Sequence, residues 1–281
     1  MSNLVVRVLT TLLLLPAVLY LVHLGGWPVF TFFFIGGSVA LWEYASIVSD
    51  DKKANVVFML LSMTTMASFM KLPAGHSILV LQAAGVLFAI FFTLRTGDMK
   101  STWIRLSTLG FGFFYISLNV SFFFKLREAG ETTPNMLPAT WIYLALIASW
   151  GNDTCAYFAG RFFGKHKFYP KVSPKKTWEG AIGGAIGGIF LMFVLKFVAP
   201  NDWFAGLTVA DILLIGIPAA VVSPLGDLAE SLLKRTFDTK DAGGFLPGHG
   251  GILDRIDATF FVVAWLLPYV TVIRPFLFGA T

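Results

Sequence analysis

Charge is what this chain has least of. Only 13% of its 281 residues are Asp, Glu, Lys or Arg, and 56% are hydrophobic, with a mean hydropathy of +0.75. Soluble globular proteins carry about 25% charged residues. The shortfall argues against an ordinary water-soluble domain and makes an integral membrane protein the default. Cysteine is nearly absent: Cys155 stands alone, which excludes an intrachain disulfide and any multi-cysteine zinc or iron–sulfur site. Histidine is scarce, and His23, His76 and His166 show no metal-ligand spacing. There is no low-complexity tract, no sequence repeat and no polar stretch long enough for a separate soluble domain.

Phenylalanine is abundant instead, with 29 residues suited to a lipid-facing surface or a bundle core. Nine apolar segments approach the roughly 20 residues that a membrane-crossing helix needs. They are 4–24, 28–47, 55–73, 77–95, 104–125, 138–160, 178–199, 207–225 and 258–279. The expected fold is therefore all-α: one polytopic membrane domain over residues 1–281. The first segment follows Arg7 as a signal peptide would. No small-residue cleavage site precedes the next segment, so it reads as a retained helix.

Nine crossings put the termini on opposite sides. With the N-terminus in the cytoplasm, 16 of the 21 Lys and Arg residues fall on the cytoplasmic side, and Lys71, Lys125, Arg127, Lys196 and Arg274 on the other. That is a strong positive-inside bias. It also accounts for much of the net charge of +5 and places two polar loops, 161–177 and 227–257, at the cytoplasmic face. The expected location is a bacterial-type inner membrane, with lipids and no nucleic acid as partners; a homodimer is compatible.

The stretch Asp227–Asp257 gathers six acidic residues, four basic ones, His249 and five glycines. Ser223, Pro224 and Gly226 should kink or break the eighth segment just before it. Beyond them Asp227, Glu230, Ser231 and Lys234 recur at helical spacing and share one face. Such a face is either a wet, salt-bridged helix end or a cation and phosphate site. Gly243, Gly244, Gly248, Gly250 and Gly251 follow around Pro247 and His249, and glycine lets backbone N–H groups wrap an anion. Lys240, Asp241, Asp254, Arg255 and Asp257 flank them, alternating anion donors with oxygen ligands of the kind Mg²⁺ takes beside substrate phosphates.

Three other places carry polar groups. In the loop 161–177, Ser173 can cap a turn with Pro174 first, leaving Lys175 and Lys176 at a helix start, where an anion would be welcome. The alternative is a lysine pair that holds anionic headgroups. Asn152 and Asp153 lie inside the sixth segment, where an aspartate marks either function or a helix–helix hydrogen bond, and Tyr157 is one turn away as a partner for Asp153. Gly180, Gly184 and Gly188, with Gly183 and Gly187, form small-xxx-small patterns that suit close helix packing. Glu43, near the cytoplasmic end of the second segment, reads as structural or snorkelling.

Ser231–Asp257 reads SLLKRTFDTKDAGGFLPGHGGILDRID. This string resembles the signature of the phosphatidate cytidylyltransferase (CDP-diacylglycerol synthase) family. Asp153-x-x-x-Tyr157 with Gly160 and Gly164, and Ser173-Pro-Lys-Lys-Thr-x-Glu-Gly180, resemble the family as well. The likeness covers roughly the C-terminal half. It implies that CTP and phosphatidate give CDP-diacylglycerol and pyrophosphate with Mg²⁺. Asp227 and Asp254 match the family's metal-binding aspartates, and the family leaves room for a second, monovalent cation. Ser231 and Lys234 would lie beside the phosphates, with Asp241 and Asp257 as further oxygen donors. Ser173, Lys175, Lys176, Arg235, Lys240, His249, Gly250, Gly251 and Arg255 would contact substrate phosphates.

On this division, residues 136–281 are catalytic and residues 1–135 serve packing, oligomer or lipid contacts. A phosphate monoester, with a second pKa of about 6, is already ionised and needs no general base. His249 is accordingly expected to be a phosphate donor rather than a base. The alternatives are a CTP-dependent lipid kinase of the polyprenol type, which would release CDP, and an ion-coupled transporter. The transporter lacks the expected midplane charge in matched halves.

Overall fold

A computed structural model describes residues 3–95 and 98–279. Among them, eight helical stretches are long and apolar enough to cross a membrane. They are α1 (Asn3–Leu24), α2 (Gly26–Val48), α3 (Lys52–Lys71), α4 (Ala74–Thr93), α5 (Met99–Glu131), α8 (Trp178–Val198), α10 (Val209–Thr236) and a last run of α11 (Leu253–Pro268), a π-helical turn (Tyr269–Ile273) and α12 (Arg274–Phe278). The expected sixth segment is likewise composite: α6 (Thr140–Leu146), a π-helical turn (Ile147–Gly151) and α7 (Asn152–Phe163) follow one another directly. α9 (Asn201–Phe204) is a single turn. The protein is a polytopic all-α membrane protein, with one small hairpin, β1 (Lys167–Tyr169) antiparallel to β2 (Ser173–Thr177).

Two local expectations fail. Of the kink or break expected before Asp227, the break is absent: α10 runs unbroken through Pro218 and Pro224 to Thr236. Gly226 is small for another reason: a Cβ there would come within 2.8 Å of the Asp257 carbonyl oxygen and 2.9 Å of Ala258 Cα, so α10 and α11 pass too closely for a side chain. The first third of the polar stretch 227–257 is thus still α10. The second failure is at Ser173–Thr177, which is a strand and not a capped turn. A residue before proline prefers extended backbone, and the helix start shifts to Thr177, whose hydroxyl oxygen accepts the Gly180 N–H at 3.1 Å. Successive strand residues face opposite ways, so Lys176 turns inward and half-buried while Lys175 is exposed.

The chain divides into two compact units. The first comprises Met1–Leu14, Gly26–Phe124 and Asp241–Asp254. Its helices α2, α3 and α4 pack through aromatic rings, Tyr44 on Phe58 and Phe58 on Phe88. Tyr44 also donates to the Thr108 carbonyl at 2.7 Å. Asp51 caps α3 by accepting the Lys53 and Ala54 N–H groups and pairs with Arg95 at 2.6 Å. Burial works against its charge, yet the Ala54 N–H and the Arg95 guanidinium prevail and hold its pKa below the usual carboxylate range.

The second unit comprises Leu15–Gly25, Lys125–Lys240 and Arg255–Thr281. Here α7 and α8 pack at the glycine stripe: a Cβ at Gly183 would overlap that of Ala159, and one at Gly187 would overlap Cys155. At the start of α10, Thr208 and Asp211 form a reciprocal capping box. Asp211 is fully buried and accepts from Tyr269 Oη at 2.6 Å and Arg274 Nε at 2.9 Å. Arg274 also donates to the Gly206 carbonyl at 3.0 Å.

Removing one partner of a buried ion pair strands the other charge. Arg274→Met is expected to lower stability by about 3–5 kcal/mol, read as thermal unfolding of the detergent-purified protein. Adding Asp211→Asn should recover most of that loss. A double variant no more stable than the single one would show that the ion pair is not the interaction that matters.

Candidate active site

In the second unit, the shared face expected on α10 is present. Ser231 Oγ donates to Asp227 Oδ1 at 3.2 Å, and Lys234 Nζ donates to Glu230 Oε2 at 2.8 Å. The hairpin adds Lys176, whose Nζ lies 2.8 Å from Asp227 Oδ2 and 3.0 Å from the Pro224 carbonyl. From α11 comes Asp257, buried, with one oxygen accepting the Ala258 N–H at 2.7 Å. Its carboxyl group faces that of Glu230 at hydrogen-bonding range. Asp153 on α7 is within electrostatic reach of Asp227 and Lys176.

Four carboxyl groups, on Asp153, Asp227, Glu230 and Asp257, crowd around the ammonium groups of Lys176 and Lys234. Glu230 is 2% exposed, and its Oε1 meets no donor. Two facing carboxyl groups can both ionise only when a cation comes between them. Among the described residues no three His, Cys, Asp or Glu side chains form a ready-made metal cage. Mg²⁺ does not require one, because it takes one or two carboxylates and completes its shell with phosphate oxygens and water. The donor set of hard oxygens around an orphaned buried oxygen fits such an ion.

The remaining expected residues of this unit are spread more widely. Lys175, Arg235, Lys240 and Arg255 are exposed cations, and Ser173 is half-buried on β2. Tyr157 does not partner Asp153: its hydroxyl accepts from Arg161 Nη1 at 2.9 Å, one helical turn along, where a cation offers the stronger bond. Asn152 is buried against Gly184 and Gly188, and both atoms of its amide lack a partner. Glu179 of the SPKKTWEG motif accepts the Lys165 and His166 N–H groups and His166 Nδ1, and so closes the turn before β1.

The first unit holds the glycine loop, with Asp241 exposed at its start. Gly248 and Gly250 have φ of +75° and +83°, which a side chain tolerates poorly. The loop closes on itself through Leu246 N–H to the Gly250 carbonyl at 2.9 Å. Asp254 Oδ2 accepts the Ala242 and Gly251 N–H groups, each at 2.9 Å, and so ties the two ends of the loop together.

N-terminal residues that the sequence left without a role reach this loop. Arg7 Nε donates to the Gly248 carbonyl at 2.7 Å and the Thr10 hydroxyl to that of Pro247 at 3.1 Å. Thr11 Oγ1 lies 3.2 Å from His249 Nε2. Glu43 is not a snorkelling side chain. It is fully buried and accepts the Ile252 and Leu253 N–H groups at 3.1 and 2.9 Å. A glutamate in an apolar helix was the signal available; its partner lies 209 residues away.

Fold and site together define a polytopic membrane protein with a carboxylate–lysine cluster suited to a cation and a polyphosphate. The model of the cytidylyltransferase family matches residues 5–273, and the chain belongs to that family, as a nucleotidyltransferase. Among similar proteins are the phosphatidate cytidylyltransferase of Bacillus subtilis (strain 168), 33% identical over 271 residues (92% of this chain, 95% of that one), and its counterpart from Staphylococcus epidermidis (strain ATCC 12228 / FDA PCI 1200), 30% identical over 272 residues (93% and 96%). The phosphatidate cytidylyltransferase of Haemophilus influenzae is 44% identical over a shorter stretch of 112 residues (40% and 39%).

Glu230→Gln replaces an acceptor facing Asp257 with a group that can donate. The expected outcome is a higher melting temperature in detergent without added metal, together with a loss of turnover of about 100-fold. Unchanged turnover would remove Glu230 from the site.

Proposed function

We propose that the chain transfers the cytidylyl group of CTP to phosphatidate, giving CDP-diacylglycerol and pyrophosphate. The observation that carries this reading is the crowded carboxyl cluster on α10 and α11, with Glu230 facing Asp257 and lysines on either side. It suits a reaction between two phosphate-rich substrates better than an ion path through the bilayer.

One or two of Asp227, Glu230 and Asp257 would hold Mg²⁺, and Asp254 is the other aspartate matching the family's metal-binding positions. The oxygen-only donors also leave room for a monovalent cation. When bound, Mg²⁺ neutralises triphosphate charge and stabilises the displacement at the α-phosphorus.

The chain's own residues do the rest. The attacking group is a phosphatidate oxygen, which forms a bond to the α-phosphorus of CTP as the bond to the α–β bridging oxygen breaks and pyrophosphate leaves. That oxygen is ionised near neutral pH, so no base is required. The barrier is repulsion between two anions, and positioned cations lower it. Lys176, now held by Asp227 and the Pro224 carbonyl, can exchange a carboxylate for a phosphate oxygen. Lys234 has the same option against Glu230. Lys175, Arg235, Lys240 and Arg255, exposed and basic, suit the outer phosphates or the headgroup. For His249 to donate to a phosphate, its contact with Thr11 must open.

Purified protein with labelled CTP, Mg²⁺ and phosphatidate should form CDP-diacylglycerol and pyrophosphate in equal amounts, and Asp227→Asn should abolish both without reducing membrane insertion. CDP as the product would mark γ-phosphoryl transfer and overturn the reading. The excess of Lys and Arg in alternate loops supports an N-terminus in the cytoplasm and a C-terminus on the opposite face. A C-terminal reporter active only outside the cytoplasm should light up; activity only inside would reverse the topology.

A further inference from the structure

The signature string lies at Ser231–Asp257, yet the second helix sends a carboxylate into the root of its glycine loop. Burying that charge is unfavourable unless donors meet it. They do so in a specific way. Glu43 Oε1 accepts the Ile252 N–H at 3.1 Å and Oε2 accepts the Leu253 N–H at 2.9 Å, so each oxygen is engaged separately. These N–H groups open α11, a 16-residue helix whose N-terminal end favours negative charge. Glu43 therefore does for α11 what an N-cap residue does, from another helix. The two glycines flanking the loop pack onto the same carboxylate: a Cβ on Gly243 would lie 2.5 Å from Oε1, and one on Gly251 would lie 2.7 Å from Oε2. The residue after Leu253 is Asp254, which holds the Ala242 and Gly251 N–H groups.

We infer that Glu43 is a positioning residue: it fixes the start of α11 and the loop 242–253, and through them the direction of the Asp254 carboxylate. The inference rests on the proposed nucleotidyl transfer for its consequence, but not for its geometry. It also explains why the side chain is glutamate. Glutamine has one acceptor oxygen and an amide nitrogen that cannot accept, so only one of the two N–H bonds survives. Alanine loses both.

The test uses the full-length protein in detergent and two readouts. The first is backbone hydrogen exchange by mass spectrometry. Glu43→Gln is expected to speed exchange at least about tenfold in peptides covering 242–254 while the other helices keep their rates. The second is steady-state kinetics: kcat should fall about 10- to 100-fold, as for groups that orient a ligand, with the KM for CTP little changed. Glu43→Ala should be worse on both. Gly243→Ala, approaching the carboxylate from the loop side, should give the same local signature.

Unchanged exchange and kcat in Glu43→Gln would overturn the inference, as would a uniform loss of protection along the whole chain, the mark of a general stability role. If no variant accumulates folded, the parent decides: the Gly251, Ile252 and Leu253 amides must exchange as slowly as the interior of α2, and fast exchange there overturns the inference. A parent that makes no CDP-diacylglycerol would defeat the proposed reaction, while the exchange experiment would still judge Glu43.

Discussion

An ionised carboxylate is the hardest group for a chain this apolar to keep. Water is remote, so every buried acid must find donors or a counter-charge within the protein. The structure meets that demand in several ways. Asp211 is surrounded by Arg274, Tyr269 and the Thr208 cap and is fully satisfied. Glu43 is met by backbone N–H groups alone. Asp227 has Lys176 and Ser231. Glu230 and Asp257 differ, because a carboxyl group faces a carboxyl group and one oxygen has no donor. Asp211 and Glu43, whose oxygens are met by donors, build the fold. On the proposed function, the facing pair Glu230 and Asp257 is where a cation would enter.

The sequence made much of this legible, and for physical reasons. Hydropathy exposed the crossing segments because lipid demands a long run of apolar side chains. Helical spacing placed Asp227, Glu230, Ser231 and Lys234 on one face because α10 is regular there. What stayed hidden depended on contacts distant in sequence. Pro224 and Gly226 looked like a helix break, but Gly226 is required by the passage of α11, about 30 residues on. Ser173–Pro174 looked like a cap, but pairing with Lys167–Tyr169 made it a strand. Spacing offers Tyr157 to Asp153, but Arg161 stands at the same spacing on the other side and takes the hydroxyl. Glu43 and Arg7 had no local pattern to reveal them, since a backbone N–H or carbonyl partner leaves no mark in the sequence.

That last omission changes the view of the two halves. The C-terminal half carries the signature, so the N-terminal helices read as packing material. Yet Arg7, Thr10, Thr11 and Glu43 all bond within 247–253. The glycines of this loop give backbone freedom, and freedom is a liability in a site that must hold an aspartate in one direction. The restraint therefore has to come from outside the loop. It is applied mostly to backbone groups.

The same logic governs the lysines. A cation placed permanently against a carboxylate contributes little to catalysis, because the pair is already neutral. Lys176 and Lys234 are each bonded to a carboxylate that metal would also bind. Arrival of Mg²⁺ with a triphosphate would give the carboxylates a stronger partner and the ammonium groups a new one, at little net change in buried charge. Neither ligand alone would do so: the metal without phosphate would leave both lysines crowded by positive charge, and phosphate without metal would leave the carboxylates facing a polyanion. On the proposed function, an active site wired in this way would favour the two together, because of the charges on α10, α11 and the hairpin.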